Sequence, residues 1–544
     1  MLLKNLRSFF WPIQKVELKK VIPMFLMCFF FVFNYTILKD INEPLIVTAR
    51  GSGAETIAFL KLWGTLPLAL LFMFVYSKLS RKLSKKTLFY SIIGFFISFY
   101  LLFGFVLYPL KDVLHPHAFA DKLEALLPRG FSGGVALIRN WTFSLFYALS
   151  ELWGTVGVSF LFWGFSNDTT KISESKRFYS LFGIGAAIAM MVAGPTNIYF
   201  SNVGKLAIVD SWGVTLKYLM SILFISGLSI MGVYYWINRY VLTDKRFKID
   251  EKNNIKNEKE KTSVIEALKF ILKSRYLLLI AGIVMGYSIS VSFADIVWKN
   301  QLKQQFPHPC DYSAFIGYFS SIVSILTLIM LFVGGGVIRK FGWKKAALVT
   351  PLVFLLAAIG SFGFIIFKDQ LNGFVGFFGT STLVMAIVFG AIQNALAKCF
   401  KFSFYEPTKE MAYIPLDNIS RTKGKAAIDI LVIKFSKAGG AFLLQALIII
   451  FGSLAVIVPY IALILFGVIA VWTLSVVFLN KRFLKLTNQD EQKEIIIKSK
   501  NVAFQTRKIE DKMVAKKSYF AAKKVLLKKA LLKKIRKKRK VSIN

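Results

Sequence analysis

Three charged residues, Glu151, Asp295 and Lys437, lie inside long apolar runs of the sequence, where an ionised group is unfavourable. A charge at the centre of a bilayer costs roughly 2.5–3.5 kcal/mol unless it reaches a partner or a water-filled cavity. A carboxylate placed there can pair with a cation or carry a proton, and a lysine can neutralise an anion. Because the three residues lie in distant segments, they favour a polar pathway through a bundle of helices.

The two carboxylates differ in their local surroundings. Glu151, in LFYALSELWG, lies near the middle of its apolar run, where it either pairs with a lysine of another helix or serves a pathway. Asp295, in SFADIVWKNQLK, is followed one helical turn later by Lys299, so a local ion pair and a functional role are both open.

A pair of lysines lies in the segment AIDILVIKFSKAGGAF. Lys434 and Lys437 are three residues apart and share a helix face, where they repel each other unless an anion lies nearby. Snorkelling to the membrane surface is the simpler alternative. Gly439 and Gly440 allow a helix or ligand to approach, and Asp429 is placed to neutralise one lysine.

A further polar cluster, Lys39, Asp40, Asn42 and Glu43, ends the first apolar run in NYTILKDINEPLIV. If the chain consists of two similar halves, this run is the counterpart of the one that holds Asp295, and Asp40 and Asp295 would flank one cavity. Lysines from separate helices around such a cavity fit a multiply anionic substrate.

The composition indicates a membrane protein. The chain has 544 residues, 56% of them hydrophobic, and a net charge of +41. Apolar runs of about 20 residues are long enough to span a bilayer. We predict twelve spans, at residues 21–38, 55–76, 88–110, 141–165, 178–200, 217–237, 276–298, 315–338, 346–367, 374–398, 427–452 and 454–479.

Basic residues predict the orientation. Lysines and arginines fill the loops after spans 2 and 8, and basic loops are typically cytoplasmic. The even number of spans then places both termini in the cytoplasm. On a soluble chain the same charge would indicate nucleic-acid binding, but positive cytoplasmic loops explain it better here.

The chain divides into two halves of six spans. We predict an all-α, major-facilitator-like fold, with an N-terminal half at 1–238, a cytoplasmic linker at 239–271, a C-terminal half at 272–480 and a basic tail at 481–544. Residues 113–128 are expected to form a short amphipathic helix. The tail, which includes KKVLLKKALLKKIRKKRK, is interpreted as a surface helix on anionic lipid, with a disordered tail or RNA binding as alternatives.

Several kinds of chemistry are not indicated. The three cysteines match no metal or disulfide spacing, and the three histidines lie outside the apolar runs. No phosphate-binding G-x-x-x-x-G-K-[ST] motif is present. We therefore predict no enzyme activity, no catalytic residue, no metal site, no cofactor and no stable protein partner.

Long segments of the chain resemble the ATP/ADP translocases of plastids and obligate intracellular bacteria. They include IRNWTFSLFYALSELWG, FWGFSNDTTKISESKRFY, TKEMAYIPLD, KGKAAID and KAGGA, and the resemblance covers nearly all of the chain except the tail. It implies a twelve-helix carrier that moves nucleotides across a membrane.

The resemblance also implies four functional charges: a lysine after the first span, a glutamate in the fourth, a glutamate in the seventh and a lysine in the eleventh. Glu151 and Lys437 match, and Asp295 is one methylene shorter than the family's glutamate. In the family's pattern L-R-D-T-K-D, the lysine is the first of the four charges. Asn42 replaces this lysine here, while Lys39 keeps the basic position that the pattern has as arginine. The lost charge places strict ATP-for-ADP exchange in question.

The sequence thus predicts a nucleotide transporter of a bacterial inner membrane that works by alternating access. Proton-coupled import of a nucleoside triphosphate is slightly preferred, with Glu151 or Asp295 as proton carrier. Exchange of ATP and ADP, or of another nucleotide including NAD, is the alternative. A membrane-anchored scaffold that binds lipid or RNA through its tail is the alternative from another class.

Overall fold

The chain is described by a computed structural model that covers residues 16–170, 172–244, 264–487 and 523–530. Its secondary structure is helical, and these residues contain no strand. Twelve helices are long and apolar enough to cross a membrane, which confirms the predicted all-α class and number of spans. They are α1 (Leu18–Val47), α2 (Thr56–Lys82), α3 (Lys85–Leu107), α4 (Trp141–Thr169), α5 (Leu181–Lys205), α6 (Ser211–Val241), α7 (Arg275–Gln305), α8 (Pro309–Leu331), α9 (Gly336–Ile366), α10 (Thr382–Ala412), α11 (Ile433–Phe451) and α12 (Leu454–Thr487).

Side-chain caps fix where several of these helices begin. Ser84 accepts a hydrogen bond from the backbone N–H of Thr87 at 3.1 Å before α3. Asp210, in a left-handed conformation with φ +51°, accepts one from Gly213 at 3.2 Å before α6. Such caps satisfy amide groups that the first turn of a helix leaves unpaired. The caps set the register of helices whose apolar sequences would otherwise allow them to slide.

Among the described residues, six helices contain π-helical segments within or directly before their membrane-spanning parts. These segments are Leu60–Thr65 in α2, Phe103–Leu107 in α3, Gly154–Phe162 in α4, Ile237–Val241 in α6, Lys401–Tyr405 in α10 and Ile428–Val432 directly before α11. A π-helical turn inserts an extra residue and rotates the side chains that follow it, and it often occurs at functional sites. Four of the helices that carry intramembrane charges, α2, α4, α10 and α11, are therefore locally irregular.

The two halves, α1–α6 and α7–α12, pack together through α5 against α8 and α2 against α11. Small residues permit the close approach of α5 and α8. A Cβ atom on Gly194 would lie 2.7 Å from the carbonyl oxygen of Gly317 and would also overlap Ser321. Glycine in a membrane helix allows two backbones to come this close. This helix pairing fits the predicted major-facilitator-like arrangement.

Polar contacts between the halves cluster near one end of the bundle, which we call the distal end, where α1 ends and α2 begins. Lys205 of α5 forms an ion pair with Asp311 of α8 at 2.7 Å. Asn197 donates to the carbonyl of Ser313 at 2.9 Å and accepts from its hydroxyl at 3.0 Å. Lys303 donates to a loop carbonyl of the first half. The distal end is therefore closed by specific contacts between the halves.

The segments between the spans agree with the sequence in part. A short helix, His117–Leu126, lies within the predicted amphipathic region 113–128. A helix at Val264–Lys273 occupies part of the predicted linker, and Gly342, at φ +76°, breaks the helical path within α9. Residues 414–417 and the described residues from 480 onward, which include the last turns of α12, form a second unit. Of the tail, residues 523–530 are helical, and the remainder beyond 487 lies outside the described residues. The domain boundaries stay a prediction.

The close packing of α5 and α8 predicts that replacing glycine by alanine affects thermal stability differently at two positions of α5. Gly194→Ala is expected to lower the thermal stability of the purified protein, because overpacking typically costs 1–3 kcal/mol. Gly183→Ala, where a Cβ meets nothing within 4 Å, is expected to be neutral or stabilising, since alanine favours helix. Equal melting temperatures for the two variants, measured in one detergent, would contradict this packing.

Candidate functional site

The intramembrane charges of six helices come together in one group, which we call the central cluster. Electrostatic interactions link its members across α1, α2, α4, α7, α10 and α11. The members are Lys39, Glu43, Lys61, Glu151, Asp295, Lys299, Lys398, Lys401 and Lys437. Most are only partly buried although they lie in membrane-spanning helices and face one another. Because these partly exposed charges come from helices of both halves, we infer a polar chamber between the halves.

Lys299 is the member with the strongest ion pairs. Its Nζ atom lies 2.7 Å from a carboxylate oxygen of Glu43 and 2.6 Å from one of Asp295. The lysine side chain is only 4% exposed, so these bonds operate in a region of low dielectric constant. Glu43 belongs to the first half and Asp295 to the second. The local pair expected from the sequence is present, and Lys299 also ties α1 to α7.

Lys39 lies on the side of the chamber that the first half of the protein, α1–α6, forms. Its charge interacts with Glu151 of α4, with Glu43 one turn along α1, and with Asp295 of α7. Its Nζ atom also lies 5.9 Å from the centre of the Tyr35 ring, within the range of a cation–π contact. The structure therefore brings together Lys39, Glu151 and Asp295, while their functional roles stay a prediction.

Lys61 was missed by the sequence analysis. It lies in the π-helical segment of α2 and interacts electrostatically with Lys299, Asp295, Glu151 and Lys39. Among the described residues, no carboxylate lies within ion-pair distance of it. Its position in the apolar segment IAFLKLWG, well before the basic end of the span, was the available signal.

Two lysines of α10 were also missed by the sequence analysis. Lys398 interacts with Lys39, Glu43 and Asp295, and its Nζ atom lies 4.7 Å from the centre of the Phe319 ring. Lys401, one turn later, lies in a π-helical segment and contributes to the electrostatic surroundings of Lys437. The predicted span 374–398 placed both at a membrane boundary, whereas α10 continues to Ala412. Because the predicted span ended too early, these two lysines were not recognised as intramembrane cations.

Lys437 faces the chamber from α11, as expected. It is exposed, yet it interacts with Lys401, Lys39 and Glu151 on three other helices. An exposed group among charges of several central helices indicates a space that solvent can reach. Lys434 is also exposed, but no described contact joins it to the central cluster. The predicted pairing of Lys434 with Lys437 around one anion therefore receives no support.

Asp40 and Asn42 lie beside the chamber rather than in it. Asp40 is 4% exposed, and one of its oxygens accepts a hydrogen bond from Ser320 of α8 at 3.0 Å. Its other oxygen has no hydrogen-bond partner among the described residues. Asn42 is 1% exposed, and both polar atoms of its amide also lack a described partner. Leaving such groups unpaired is costly, at roughly 1–3 kcal/mol each.

Lysines outnumber carboxylates in the central cluster. Six lysines face Glu43, Glu151 and Asp295, and the buried Asp40 adds at most one more compensating charge. Uncompensated cations in a low-dielectric region attract an anion strongly. No group that could hold a metal ion is found within the described ranges. The fold and the chamber together give the arrangement of a membrane carrier, with a lysine-rich chamber between two helical halves.

Comparison with known proteins identifies the family. The family described as TLC ATP/ADP transporter matches residues 2–483. The ADP,ATP carrier protein 1 of Chlamydia trachomatis is 49% identical over 492 residues, which cover 90% of this chain and 93% of the relative. The chloroplastic ADP,ATP carrier protein 2 of Arabidopsis thaliana is 45% identical over 481 residues, with 88% and 77% covered.

A more distant relative and a solved structure complete the comparison. The ADP,ATP carrier protein 1 of Rickettsia bellii is 37% identical over 493 residues and covers 90% of this chain and 98% of its own. A crystal structure of a D-xylose–proton symporter aligns with a TM-score of 0.48 and 13% identity, covering 85% of this chain and 96% of that chain.

The chain belongs to the TLC ATP/ADP transporter family. It is a multi-pass membrane transporter, not an enzyme, and its family supports nucleotide transport. The resemblance given by the sequence motifs is thereby confirmed.

Lys61 provides a test of the central cluster, because the motifs did not single it out. Lys61→Ala is expected to weaken nucleotide binding by about 10- to 100-fold, since a charged hydrogen bond contributes roughly 1.5–3 kcal/mol. Lys78→Ala, which removes an exposed lysine from the same helix, is the matched control. Binding of labelled ATP to the purified variants measures both, and equal affinities would exclude Lys61 from the site.

Proposed function

We propose that this protein exchanges ATP for ADP by alternating access, with the phosphates bound by the central cluster. The observation that carries the proposal is the excess of lysines in a chamber between the two halves. The names of the relatives, ADP,ATP carriers of bacteria and chloroplasts, support the choice of substrates. The roles of Lys39, Glu151, Asp295 and Lys437 are part of this proposal.

Charge balance favours exchange over one-way transport. When the chamber is empty, several lysines lack compensating carboxylates, and closing the site around them would bury unpaired charge. A bound nucleotide supplies the missing negative charge. The halves can then change orientation easily only when a nucleotide is present, which is the condition for obligate exchange.

Lys299 is proposed to connect substrate binding with the distal closure. In the closed arrangement it joins Glu43 of α1 to Asp295 of α7. A nucleotide near Lys61 and Lys398 competes for the same positive charge and weakens this bridge. Breaking a buried ion pair is costly, roughly 3–5 kcal/mol, unless another charge replaces the lost partner. Phosphate is that replacement, so the distal end opens when substrate is present.

Proton-coupled import of a nucleoside triphosphate, the function slightly preferred from the sequence, is the second candidate. Asp295 is a poor proton carrier, because Lys299 already neutralises its charge at 2.6 Å. The observation that favours proton coupling is Asp40, a buried carboxylate with one unpartnered oxygen beside the chamber. Exchange of another nucleotide, including NAD, also fits the cluster, since phosphates are common to all of these substrates.

The membrane location and the tail stay predictions. We propose that the protein lies in a bacterial inner membrane, with both termini and the basic loops after α2 and α8 in the cytoplasm. The distal end would then face outward. For the tail we propose binding to anionic lipid, because Lys523–Ala530 is a short helix with exposed leucines and lysines.

Uptake into cells or proteoliposomes separates the two candidate mechanisms. Exchange predicts that uptake of labelled ATP requires internal ADP or ATP and is unchanged by a protonophore. The membrane potential should be clamped with potassium and valinomycin, so that a charge difference between ATP and ADP does not imitate proton coupling. Uptake into empty vesicles that a protonophore abolishes would overturn exchange and support symport.

Asn42 tests whether the family's lost lysine matters in this chain. Asn42→Lys adds a positive charge beside Lys39, so we expect tighter binding of ATP relative to ADP by about tenfold, the effect of about 1.4 kcal/mol. Asn42→Met, which adds length without charge, is the control. Competition of ATP and ADP for labelled ATP measures the ratio. If both variants change the ratio alike, size rather than charge explains the effect.

A further inference from the structure

A separate cavity, of about 190 Å³ and lined in part by polar side chains, lies at the distal end of the bundle. Its lining shares no residue with the central cluster. The wall is formed by the loop after α1, the segment between α3 and α4, and the beginning of α6. Pro309, the first residue of α8, closes one side. The cavity therefore lies at the junction between the two halves.

Two cations of the wall are incompletely neutralised. The Nζ atom of Lys111 lies 2.9 Å from the hydroxyl of Tyr108 but 3.5 Å from the carboxylate of Asp210. A guanidinium nitrogen of Arg50 is 3.9 Å from Asp121, and the Arg50 side chain is 66% exposed. Ion pairs this long leave both cations able to accept a closer anion.

Neutral donors complete the lining. Trp212 is 4% exposed, and its Nε1–H has no hydrogen-bond partner among the described residues. His115 is bonded to Thr142 at 2.6 Å, and burial lowers its pKa to about 4, so it is uncharged near neutral pH. Asp112 also lines the cavity, so an anion would bind on the side of Arg50 and Lys111.

We propose that this cavity, the distal phosphate pocket, binds a phosphate group and that its occupancy stabilises the closed distal end. Arginine, lysine and an indole N–H are donors suited to phosphate oxygens. The phosphate belongs to free phosphate, to a nucleotide or to a lipid headgroup, which share this chemistry. The proposal concerns a site distinct from the nucleotide chamber and does not depend on the direction or coupling of transport.

The coupling between phosphate binding and closure of the distal end follows from the position of Pro309. Next to it, Cys310 contacts Thr215 at 3.7 Å, and Asp311 pairs with Lys205 at 2.7 Å. These contacts hold the beginning of α8 against the first half. If the distal end opens, α8 withdraws and the pocket loses one wall. A ligand that binds only the complete pocket must favour closure, and closure must in turn favour the ligand.

Equilibrium binding of labelled inorganic phosphate to the purified full-length protein tests the site. The Lys61→Ala/Lys437→Ala variant serves as background, so that binding in the central cluster is suppressed. Arg50→Gln alone, and together with Lys111→Gln, is expected to weaken phosphate binding by about tenfold or more. Lys122→Gln, which removes an exposed lysine from the neighbouring short helix, is the matched control.

The outcomes decide between the possibilities. Unchanged binding in the Arg50→Gln/Lys111→Gln variant, or equal weakening by Lys122→Gln, would overturn the pocket. Repeating the measurement in nanodiscs identifies the source of the phosphate: competition by anionic phospholipid but not by zwitterionic phospholipid upholds the pocket as a headgroup site. Unaltered binding in both lipids upholds it as a site for a soluble phosphate.

Asp311→Asn tests the coupling between phosphate binding and distal closure, because charge and coupling predict opposite changes in phosphate affinity. Removing a negative charge near an anion site would strengthen binding by charge alone. Because Asp311 holds α8 in place through Lys205, the coupling predicts the opposite, a severalfold weaker affinity for phosphate. Equal or tighter binding by Asp311→Asn would overturn the coupling. A measurable affinity in this variant also shows that the protein is folded.

Discussion

The buried bridge formed by Lys299 with Glu43 and Asp295 is the interaction on which the rest of the arrangement depends. It joins the two halves at the level where the chamber meets the distal contacts, and it places three charges where water is scarce. Such a bridge is stable only while all of its partners remain. It can therefore hold the closed end firmly and still be released by an incoming anion.

The remaining lysines give the bridge its sensitivity to substrate. Lys39, Lys61, Lys398 and Lys437 come from four helices and converge without an equal number of carboxylates. Irregular backbone helps to bring them together, since Lys61 lies in a π-helical segment and Lys437 follows one. The same helices connect the halves, so binding of an anion and movement of the halves involve the same elements.

The sequence predicted the helix number and the family, and both are confirmed, because membrane spans follow from hydropathy and because the family's motifs are long. The structure also brings Lys39, Glu151, Asp295 and Lys437 together, while their functional roles stay a prediction. Lys398 and Lys401 were missed for a physical reason: a lysine near a predicted helix end is ordinarily explained by snorkelling. The second bond of Lys299, to Glu43, joins side chains of α1 and α7 that are distant in sequence, which no local pattern reveals. Both Lys434 and Lys437 are exposed, and only the three-dimensional arrangement shows that Lys437 is the one that interacts with the central cluster.

The central claim is that the lysines of the chamber recognise the phosphates of a nucleotide. Competition of adenosine, AMP, ADP and ATP against labelled ATP, at one ionic strength and with the purified protein, tests this claim most directly. The account predicts that affinity increases with the number of phosphates and that adenosine competes very weakly. Adenosine that competes as well as ATP would contradict it, because binding would then depend on the base and ribose rather than on charge.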